Sequence, residues 1–430
     1  MSNQTGFALL ALALAAPVQA QQRDSVRPFR LDPLVVSAER VRAPLNRSAA
    51  AISYIGAREL AQRPVRTLAE ALQQMPGLAF IDFDGNGENP QVMTRGFYGG
   101  GEAEYMLLLL DGQPINALET GRINWELIPV SAIESIEVVR GPASAAWGDA
   151  AVGGVIQINT RRNASGWRGS FSGGGHGVLR AAASGSGVIG QRAASVFGNY
   201  SESNGYRAHA QRSDGSLHAA LALAGTPEKG LSLSTFHDWR DFNEPGALTD
   251  TELTDSRTQS ARFYRFDHSN ERMHRVGLDA RTPVGSSRLS GSITGEYRNS
   301  DRIRTLRLAP GFADTKERLL TTTRLVASGA FEGTLAGGQF LLGLDASFAS
   351  LDSEYFDYLQ GPESVYAAGS PSRGQSNGRA DGNRLAAAYF ARYERELLPG
   401  ITASVATRLD GLRDSFQTDA EIDQNATHHK

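Results

Sequence analysis

The side chains that most often carry catalytic or metal chemistry are sparse and scattered in this chain. There is no cysteine, which excludes a disulfide framework, a thiolate metal site and a cysteine nucleophile. The eight histidines form no His-Glu-x-x-His motif, and no Gly-x-x-x-x-Gly-Lys-[Ser/Thr] loop is present to cradle phosphates. The glycine groups at 99–101, 153–154 and 173–175 lack the strand-to-helix context of a dinucleotide site, so we interpret them as turns. We therefore expect no enzyme, no cofactor and no metal site.

The bulk composition predicts more than one domain and many turns. The chain has 430 residues, and its 47 glycines are spread among Ser, Thr and Asn, which favours an all-β region. The formal net charge of −3 argues against nucleic-acid binding, because phosphate binding requires a basic surface. Beyond the N-terminus no apolar run reaches the length of a spanning helix, so the chain could cross a membrane only as a closed β-barrel.

The first residues predict a secretory signal peptide over 1–20. Residues 7–16 (FALLALALAA) form a short apolar core, and the small residues Val18 and Ala20 precede a cleavage site after Ala20. The first six residues carry no Lys or Arg, which departs from the usual pattern. In the following segment, 21–45, the β-prone run 34–38 suits pairing with the sheet edge of another protein.

Residues 46–162 predict a small α+β domain. A capping box at Thr67-x-x-Glu70 begins a helix with one apolar face, which Pro76-Gly77 ends. A strand is expected at 78–81, a buried strand at 105–110, and a short helix after Pro129. Two further strands are expected at 136–139 and 153–160.

From about residue 166 the pattern changes to a period of two. Val276, Leu278 and Ala280 alternate with polar residues or glycine, and similar alternation recurs at 340–349 and 401–410. One apolar and one polar face are typical of transmembrane strands between lipid and a wet lumen, although a soluble β-sandwich is the alternative. The polar segments near 240–260 and 352–383 are expected to be long extracellular loops.

The most specific motif is residues 128–162 (IPVSAIESIEVVRGPASAAWGDAAVGGVIQINTRR), supported by QVMTRGF at 91–97 and DGQPIN at 111–116. These segments closely resemble the plug domain of TonB-dependent outer-membrane receptors. The resemblance implies an α+β plug domain over 46–162, followed over 163–430 by an all-β, antiparallel, partial transmembrane β-barrel. It also implies that residues 21–45 are periplasmic, and that the chain belongs to the outer membrane of a Gram-negative-type bacterium.

The resemblance also implies site residues of three kinds. The TonB box, which pairs with TonB, resembles the segment formed by Asp32, Pro33, Leu34, Val35, Val36, Ser37 and Ala38. Plug loops that face outward in the family would place ligand-binding groups, with sealing the plug against the barrel as the alternative role, at Tyr98, Glu102, Tyr105, Asn116, Arg122 and Trp125. Charges expected to lock the plug to the barrel are Arg95, Glu134, Glu137 and Arg140.

The family implies TonB-energised uptake of a scarce, bulky ligand. We expect an iron–siderophore complex, with cobalamin as the next candidate and haem or another metal chelate left open. The expected partners are TonB, the lipid of the outer membrane and the chelate, without nucleic acid, in a monomer when full length. An exported β-rich adhesin or structural protein is the alternative from another class, but it would need neither a TonB box nor a plug.

Residues 163–430 supply about half of a plugged barrel of roughly 22 strands. The family's barrels usually finish on an aromatic residue, whereas this chain finishes with His428, His429 and Lys430. We therefore expect a truncated receptor whose open strand edges would pair with other chains. Expressed alone, it is expected to give aggregated or degraded material.

Overall fold

A computed structural model describes residues 35–36, 40, 43–44, 50–65, 67–81, 90–96, 105–118, 121, 123, 125, 128–161, 166–225, 229–309, 312–357 and 373–418. The predicted signal peptide, 1–20, lies outside these residues. In the part of the chain described, no helix is long and apolar enough to cross a membrane.

The first part of the described chain is a mixed α/β region made of short elements. Its strands are β1 (Val35–Val36), β2 (Ala43–Pro44), β3 (Ile52–Gly56), β4 (Leu78–Ile81), β5 (Gln91–Thr94), β6 (Met106–Leu110), β7 (Gln113–Pro114), β8 (Ile133–Arg140) and β9 (Gly154–Thr160). Its α-helices are α1 (Ala57–Gln62), α2 (Leu68–Gln73) and α3 (Ser144–Trp147), and one-turn 3-10 helices lie at Val130–Ala132 and Asp149–Ala151.

The second part consists almost entirely of long strands. These are β10 (Gly166–Gly173), β11 (Leu179–Ile189), β12 (Arg192–Ser203), β13 (Arg212–Gly225), β14 (Gly230–Asn243), β15 (His268–Val284), β16 (Ser287–Ala309), β17 (Phe312–Leu335), β18 (Gly338–Asp357), β19 (Ser376–Leu398) and β20 (Ile401–Thr418). A 3-10 turn, Gly175–Gly177, and one helix, α4 (Asp250–Asp255), lie in the connections.

The first part folds around a five-stranded sheet in the order β3-β8-β9-β6-β7, in which only β6 and β9 pair in parallel. The N-cap half of the predicted capping box is confirmed, because the Thr67 hydroxyl accepts a hydrogen bond from the Glu70 amide at 3.2 Å at the start of α2. The apolar face of α2 carries Leu68 and Leu72 into the core, where both are fully buried. The predicted strand at 78–81 is also confirmed as β4.

The second part is a single antiparallel sheet of eleven strands, which pair in chain order from β10 to β20. The predicted alternation is confirmed in β15, where Met273 and Arg275 are buried while Val276 and Leu278 are exposed on the other face. The sheet is open in the described residues, with β10 and β20 at its edges. Its inner face packs on the first part, because Phe197, Phe236 and Met273 join the same hydrophobic cluster as the core of that part.

The strands are longer than the alternation of apolar residues predicted. Segments expected as loops, at 240–243, 352–357 and 376–383, belong to β14, β18 and β19. The physical reason is that a strand can continue above the lipid with polar residues on both faces, since both faces then meet water. The remaining connection 244–267, which contains α4, does lie outside the strands, whereas two-residue turns at 285–286, 336–337 and 399–400 close the opposite end of the sheet.

Candidate functional site

The predicted TonB box lies next to a short pair of strands. Val35 and Val36 form β1, which pairs antiparallel with β2 in the register Val35↔Pro44 and Val36↔Ala43. The other residues of the predicted box, Asp32, Pro33, Leu34, Ser37 and Ala38, lie outside the described residues.

Arg40, in the connection between β1 and β2, is anchored to the wall of the large sheet. Its Nη1 and Nη2 donate to the two carboxylate oxygens of Asp345, at 3.0 and 2.8 Å, in a bidentate pair with 11% and 17% of the side chains exposed. The guanidinium lies 3.9 Å from the ring centroid of Trp147, in α3, and 4.3 Å from that of Phe390, in β19. This arrangement, which we call the Arg40 latch, ties the segment after the box to both parts of the molecule.

Asp345 is shared between Arg40 and a second arginine. Arg408, in β20, donates to the same carboxylate at 2.8 Å and to the carbonyl oxygen of Ala146 in α3 at 3.3 Å. The Ser328 hydroxyl donates to Asp345 as well, at 2.7 Å. Burial lowers the pKa of Arg40 from its ordinary value, and the charge of Asp345 raises it back in part. The two cations therefore share one carboxylate, and when Asp345 is removed Arg40 loses this counterion while Arg408 keeps Asp410, at 2.9 Å.

A second contact joins the DGQP turn to the sheet wall. Asp111, at φ 51°, and Gly112, at φ 87°, form this turn in the left-handed region, and the Asp111 carboxylate accepts from the Thr160 amide and hydroxyl. The turn presents β7 to the wall, where Gln113 Nε2 donates to the Ser292 hydroxyl at 2.8 Å.

The carbonyl oxygen of Pro114 is the centre of this second contact. Arg275 and Arg324, on β15 and β17, both donate to it, the latter at 3.2 Å. Glu296, on β16 between them, accepts from Arg275 at 2.7 Å and from Arg324 at 3.0 Å, and is only 4% exposed. The carboxylate offsets one of the two positive charges and accepts hydrogen bonds from both guanidinium groups, which lowers the cost of burying them against a backbone oxygen.

The four residues predicted to lock the plug to the barrel have described contacts inside the first part of the molecule. Arg95 is exposed and its guanidinium lies against Gly141, and Glu134 pairs with Arg161 at 3.7 Å. Buried Glu137 accepts from Asn159 at 2.8 Å, while Arg140 donates to the Pro76 carbonyl at 3.4 Å. Their locking role stays a prediction, and the described contacts between the two parts include those of Arg40, Gln113 and Pro114, which sequence reasoning missed.

The six predicted ligand-binding residues include three outside the described residues, one exposed residue and two buried residues. Tyr98, Glu102 and Arg122 lie outside the described residues, whereas Tyr105 is 38% exposed. Asn116 and Trp125 are buried, at 6% and 2% exposed. A ligand contact for any of the six stays a prediction.

The polar groups of the two buried residues bond within the first part of the molecule. Asn116 accepts from the Leu108 amide and donates to two carbonyl oxygens, and Trp125 Nε1 donates to the Pro90 carbonyl at 2.7 Å. Side-chain groups that bond to backbone atoms in this way hold the neighbouring loops in place.

Two loops at the end opposite the two-residue turns are tied together. Arg207, in the connection from β12 to β13, donates to three carbonyl oxygens of the β14–β15 connection. Asp267, at the end of that connection, accepts from the Thr305 amide at 2.9 Å and hydroxyl at 2.6 Å. Burial raises the pKa of Asp267 to about 7, although the bonds from Thr305 oppose the rise. His209, whose ring contacts the Asp267 carbonyl oxygen at 2.7 Å, has a pKa lowered by burial.

Comparison with known proteins identifies the first part of the molecule. Residues 44–155 match the TonB-dependent Receptor Plug Domain family. The vitamin B12 transporter BtuB of Vibrio vulnificus strain CMCP6 is 33% identical over 160 residues, which are 36% of this chain and 25% of that protein. The ferrienterobactin receptor of Escherichia coli K12 is 32% identical over 180 residues, which are 38% of this chain and 23% of that protein.

Solved structures share the fold of nearly the whole chain at low sequence identity. The pyoverdine outer-membrane receptor FpvA of Pseudomonas aeruginosa PAO1 superposes with a TM-score of 0.74 at 13% identity, over 89% of this chain and 60% of that one. The ferric citrate transporter FecA gives a TM-score of 0.70 at 15% identity, over 91% and 60%.

The matched segment spans about a quarter of the length of the curated relatives. The plug match and the open antiparallel sheet together confirm the fold class expected from the sequence. Residues 44–155 therefore form a plug domain of the TonB-dependent receptor family, whose members are proteins of the Gram-negative outer membrane, and the strands that follow have the fold of the barrels of such receptors.

Proposed function

We propose that the protein serves TonB-energised import of a scarce, bulky chelate across the outer membrane, with an iron–siderophore complex as the ligand. The observation that carries this proposal is the chain path from β1, through the Arg40 latch, into the plug. Arg40 lies four residues beyond Val36, so tension on the TonB box acts on the Arg40–Asp345 ion pair before it acts on the plug sheet.

Pairing with TonB would use the backbone of the box. A short extended segment adds to a partner's sheet through its amide and carbonyl groups, so the identity of its side chains matters little. The segment containing Val35 and Val36 is already extended, and its pairing with β2 is limited to two residue pairs. Exchanging this small pairing for a TonB strand therefore requires little rearrangement.

The relatives support two ligand classes. Those matching at similar identity include vitamin B12 transporters and a ferrienterobactin receptor, while the superposed structures include receptors for pyoverdine and ferric citrate. Cobalamin is therefore the second candidate ligand, supported by the match to BtuB. Haem and other metal chelates stay open within the same class of function.

The energy-coupling role is tested by Val35→Pro in cells that depend on this receptor. Proline removes a backbone donor from β1, so we expect ligand binding at the cell surface to be kept and uptake to be lost. The matched control is Val35→Ala, which keeps the backbone donor and should import at the wild-type rate. Uptake at the wild-type rate in Val35→Pro would refute the assignment of the TonB box.

The ligand is tested by uptake of a panel of ⁵⁵Fe-labelled siderophores and of ⁵⁷Co-labelled cyanocobalamin in cells lacking their own receptors for both. We expect TonB-dependent accumulation of one ferric siderophore and none of cyanocobalamin. Accumulation of cyanocobalamin alone would replace the iron assignment with the cobalamin one. Uptake that persists without TonB would contradict the proposed energy source.

A further inference from the structure

A pair of histidines lies across two neighbouring strands of the barrel sheet. His237 in β14 is directly opposite His274 in β15 in the antiparallel register. Their Nδ1 atoms are 2.8 Å apart, and their ring centroids are 5.1 Å apart with an interplanar angle of 60°. The Nε2 atom of His237 lies 3.0 Å from the Thr235 hydroxyl, which fixes the orientation of that ring.

The pair faces away from the barrel lumen. The adjacent residues Phe236 and Met273 are buried against the plug, so the alternation of the strands puts both histidines on the outer face. On that face the next residue of β15 toward the two-residue turns is apolar Val276, which is 52% exposed. In the other direction the outer face carries Trp239 and Arg272, which oppose each other in the register.

This position is the upper border of the apolar band. Val276 and Leu278 continue toward the short turn at 285–286, which in barrels of this kind is the periplasmic side. Two exposed aromatic residues lie where barrels of this kind carry an aromatic girdle at the outer interface. They are Trp239, 40% exposed, and Tyr297, which is 45% exposed and directly opposite His274. Water and polar headgroups reach this level, so a hydrated ion can reach the two rings.

The close contact of the two Nδ1 atoms decides which ligand the pair can take. Two protonated imidazoles at this separation would repel each other, which argues against an anion such as a lipid phosphate. Two neutral imidazoles share one hydrogen in the observed arrangement, in which the two rings point at each other almost head-on. Two nitrogens bound at adjacent positions of one ion, each at about 2.0–2.1 Å, are roughly 2.9 Å apart, so one ion can bind both nitrogens when the ring of His274 turns about its side-chain torsions and points beside Nδ1 of His237.

We propose that His237 and His274 form a two-histidine site for a divalent late first-row transition-metal ion, with Cu²⁺ bound most tightly. Imidazole nitrogens suit Cu²⁺, Ni²⁺ and Zn²⁺, and affinity along this series peaks at Cu²⁺. Water completes the coordination. If His237 keeps Nε2–H toward Thr235, binding requires that the ring of His274 turns and that its proton moves from Nδ1 to Nε2, and no net proton is released. The positive charge of Arg272 is the nearby group that opposes binding.

The experiment is a Cu²⁺ titration of the full-length receptor in detergent micelles, followed by electron paramagnetic resonance. Every variant carries His428→Gln and His429→Gln, so that the terminal histidines contribute nothing. We expect one site with coupling to two nitrogens, and about tenfold or greater weakening in His237→Gln and in His274→Gln. The matched control is His268→Gln, on the same face of the same strand, which should bind like the parent.

A second measurement is the thermal unfolding midpoint with and without Cu²⁺. An ion that bridges β14 and β15 should raise the midpoint in the parent and in His268→Gln, but not in the double variant of His237 and His274. Circular dichroism confirms that each variant has folded. Parent-like affinity in the double variant, or coupling to a single nitrogen in the parent, would overturn the proposal.

Discussion

Removal of the Arg40 latch should release the segment that carries the TonB box from the barrel wall. In Arg40→Ala the segment loses two charge-assisted hydrogen bonds to Asp345 and two ring contacts, with Trp147 and Phe390. Each such bond contributes about 1.5–3 kcal/mol and each ring contact about 0.5–2 kcal/mol before losses are counted.

The net effect is smaller than the sum of these contacts. Asp345 keeps Arg408 and Ser328 as partners after the substitution, and a released Arg40 would be hydrated. We therefore expect a net loss of about 2–3 kcal/mol, which changes the ratio of docked to released segment by about 30- to 150-fold.

Three substitutions should release the segment to different extents. Asp345→Asn should release the segment more fully than Arg40→Ala, because it removes the carboxylate that Arg40 pairs with in a partly buried site and leaves that guanidinium next to the positive charge of Arg408. Arg40→Lys should fall between wild type and Arg40→Ala, because an ammonium keeps the charge but not the bidentate geometry.

The assay is a nitroxide spin label at Val36→Cys, which needs no other change because the chain has no cysteine. In outer-membrane preparations the label should gain a mobile spectral component in Arg40→Ala and a larger one in Asp345→Asn. Arg63→Ala, which breaks an exposed pair with Glu59, is the control and should leave the spectrum unchanged. An equally immobile label in wild type and Asp345→Asn would refute the latch.

Three further substitutions test other parts of the structure. Burial raises the folded-state pKa of Asp267 to about 7, so the wild type should lose stability as the pH rises from about 4 through about 7 and the carboxyl loses its proton. Asp267→Asn should abolish this pH-dependent loss, which amide hydrogen exchange at Thr305 measures. Gly154→Ala should lower the thermal midpoint strongly, because φ is 150° and a Cβ would come within 2.3 Å of the Val139 carbonyl oxygen. Asn116→Ala should lower the free energy of unfolding in urea by about 2–4 kcal/mol, because it removes three hydrogen bonds. A decrease under about 0.5 kcal/mol, the size typical of surface substitutions, would contradict this expectation.

The local elements could be predicted where a short sequence pattern determines them. Thr67 and Glu70 mark the start of α2 because capping acts within one helical turn, and the alternation at Val276 and Leu278 marks β15 because one face meets lipid. The ends of the barrel strands could not be predicted in this way. Above the lipid neither face of a strand has to be apolar, and the alternation disappears while the strand continues.

The contacts between plug and barrel could not be predicted from local patterns. Arg40 and Asp345 are 305 residues apart, and a lone arginine in a polar segment resembles any surface arginine. The acceptor of Arg275 and Arg324 is a backbone oxygen, of Pro114, which leaves no mark in the sequence. For Asn116 the sequence showed a polar side chain in a loop, but not that its hydrogen-bonding groups are satisfied within the plug.

The position of β3 at the edge of the plug sheet has a mechanical consequence. Tension applied near Val35 arrives, after the latch, at Ile52, and among the described strands β3 pairs only with β8. An edge strand pulled from one end peels away pair by pair, so the peak force stays low.

Peeling of β3 leaves the other four strands of the sheet in place. The extended chain from Val35 to Gly56 would then span about 70 Å, more than twice the roughly 30 Å thickness of the hydrocarbon layer. The parallel pair β6–β9 lies further inside the sheet and carries no load during this step. The plug therefore has an edge strand, β3, that detaches first, and a four-stranded sheet that stays intact. The N-terminal segment can be pulled a long way before the four-stranded sheet is strained.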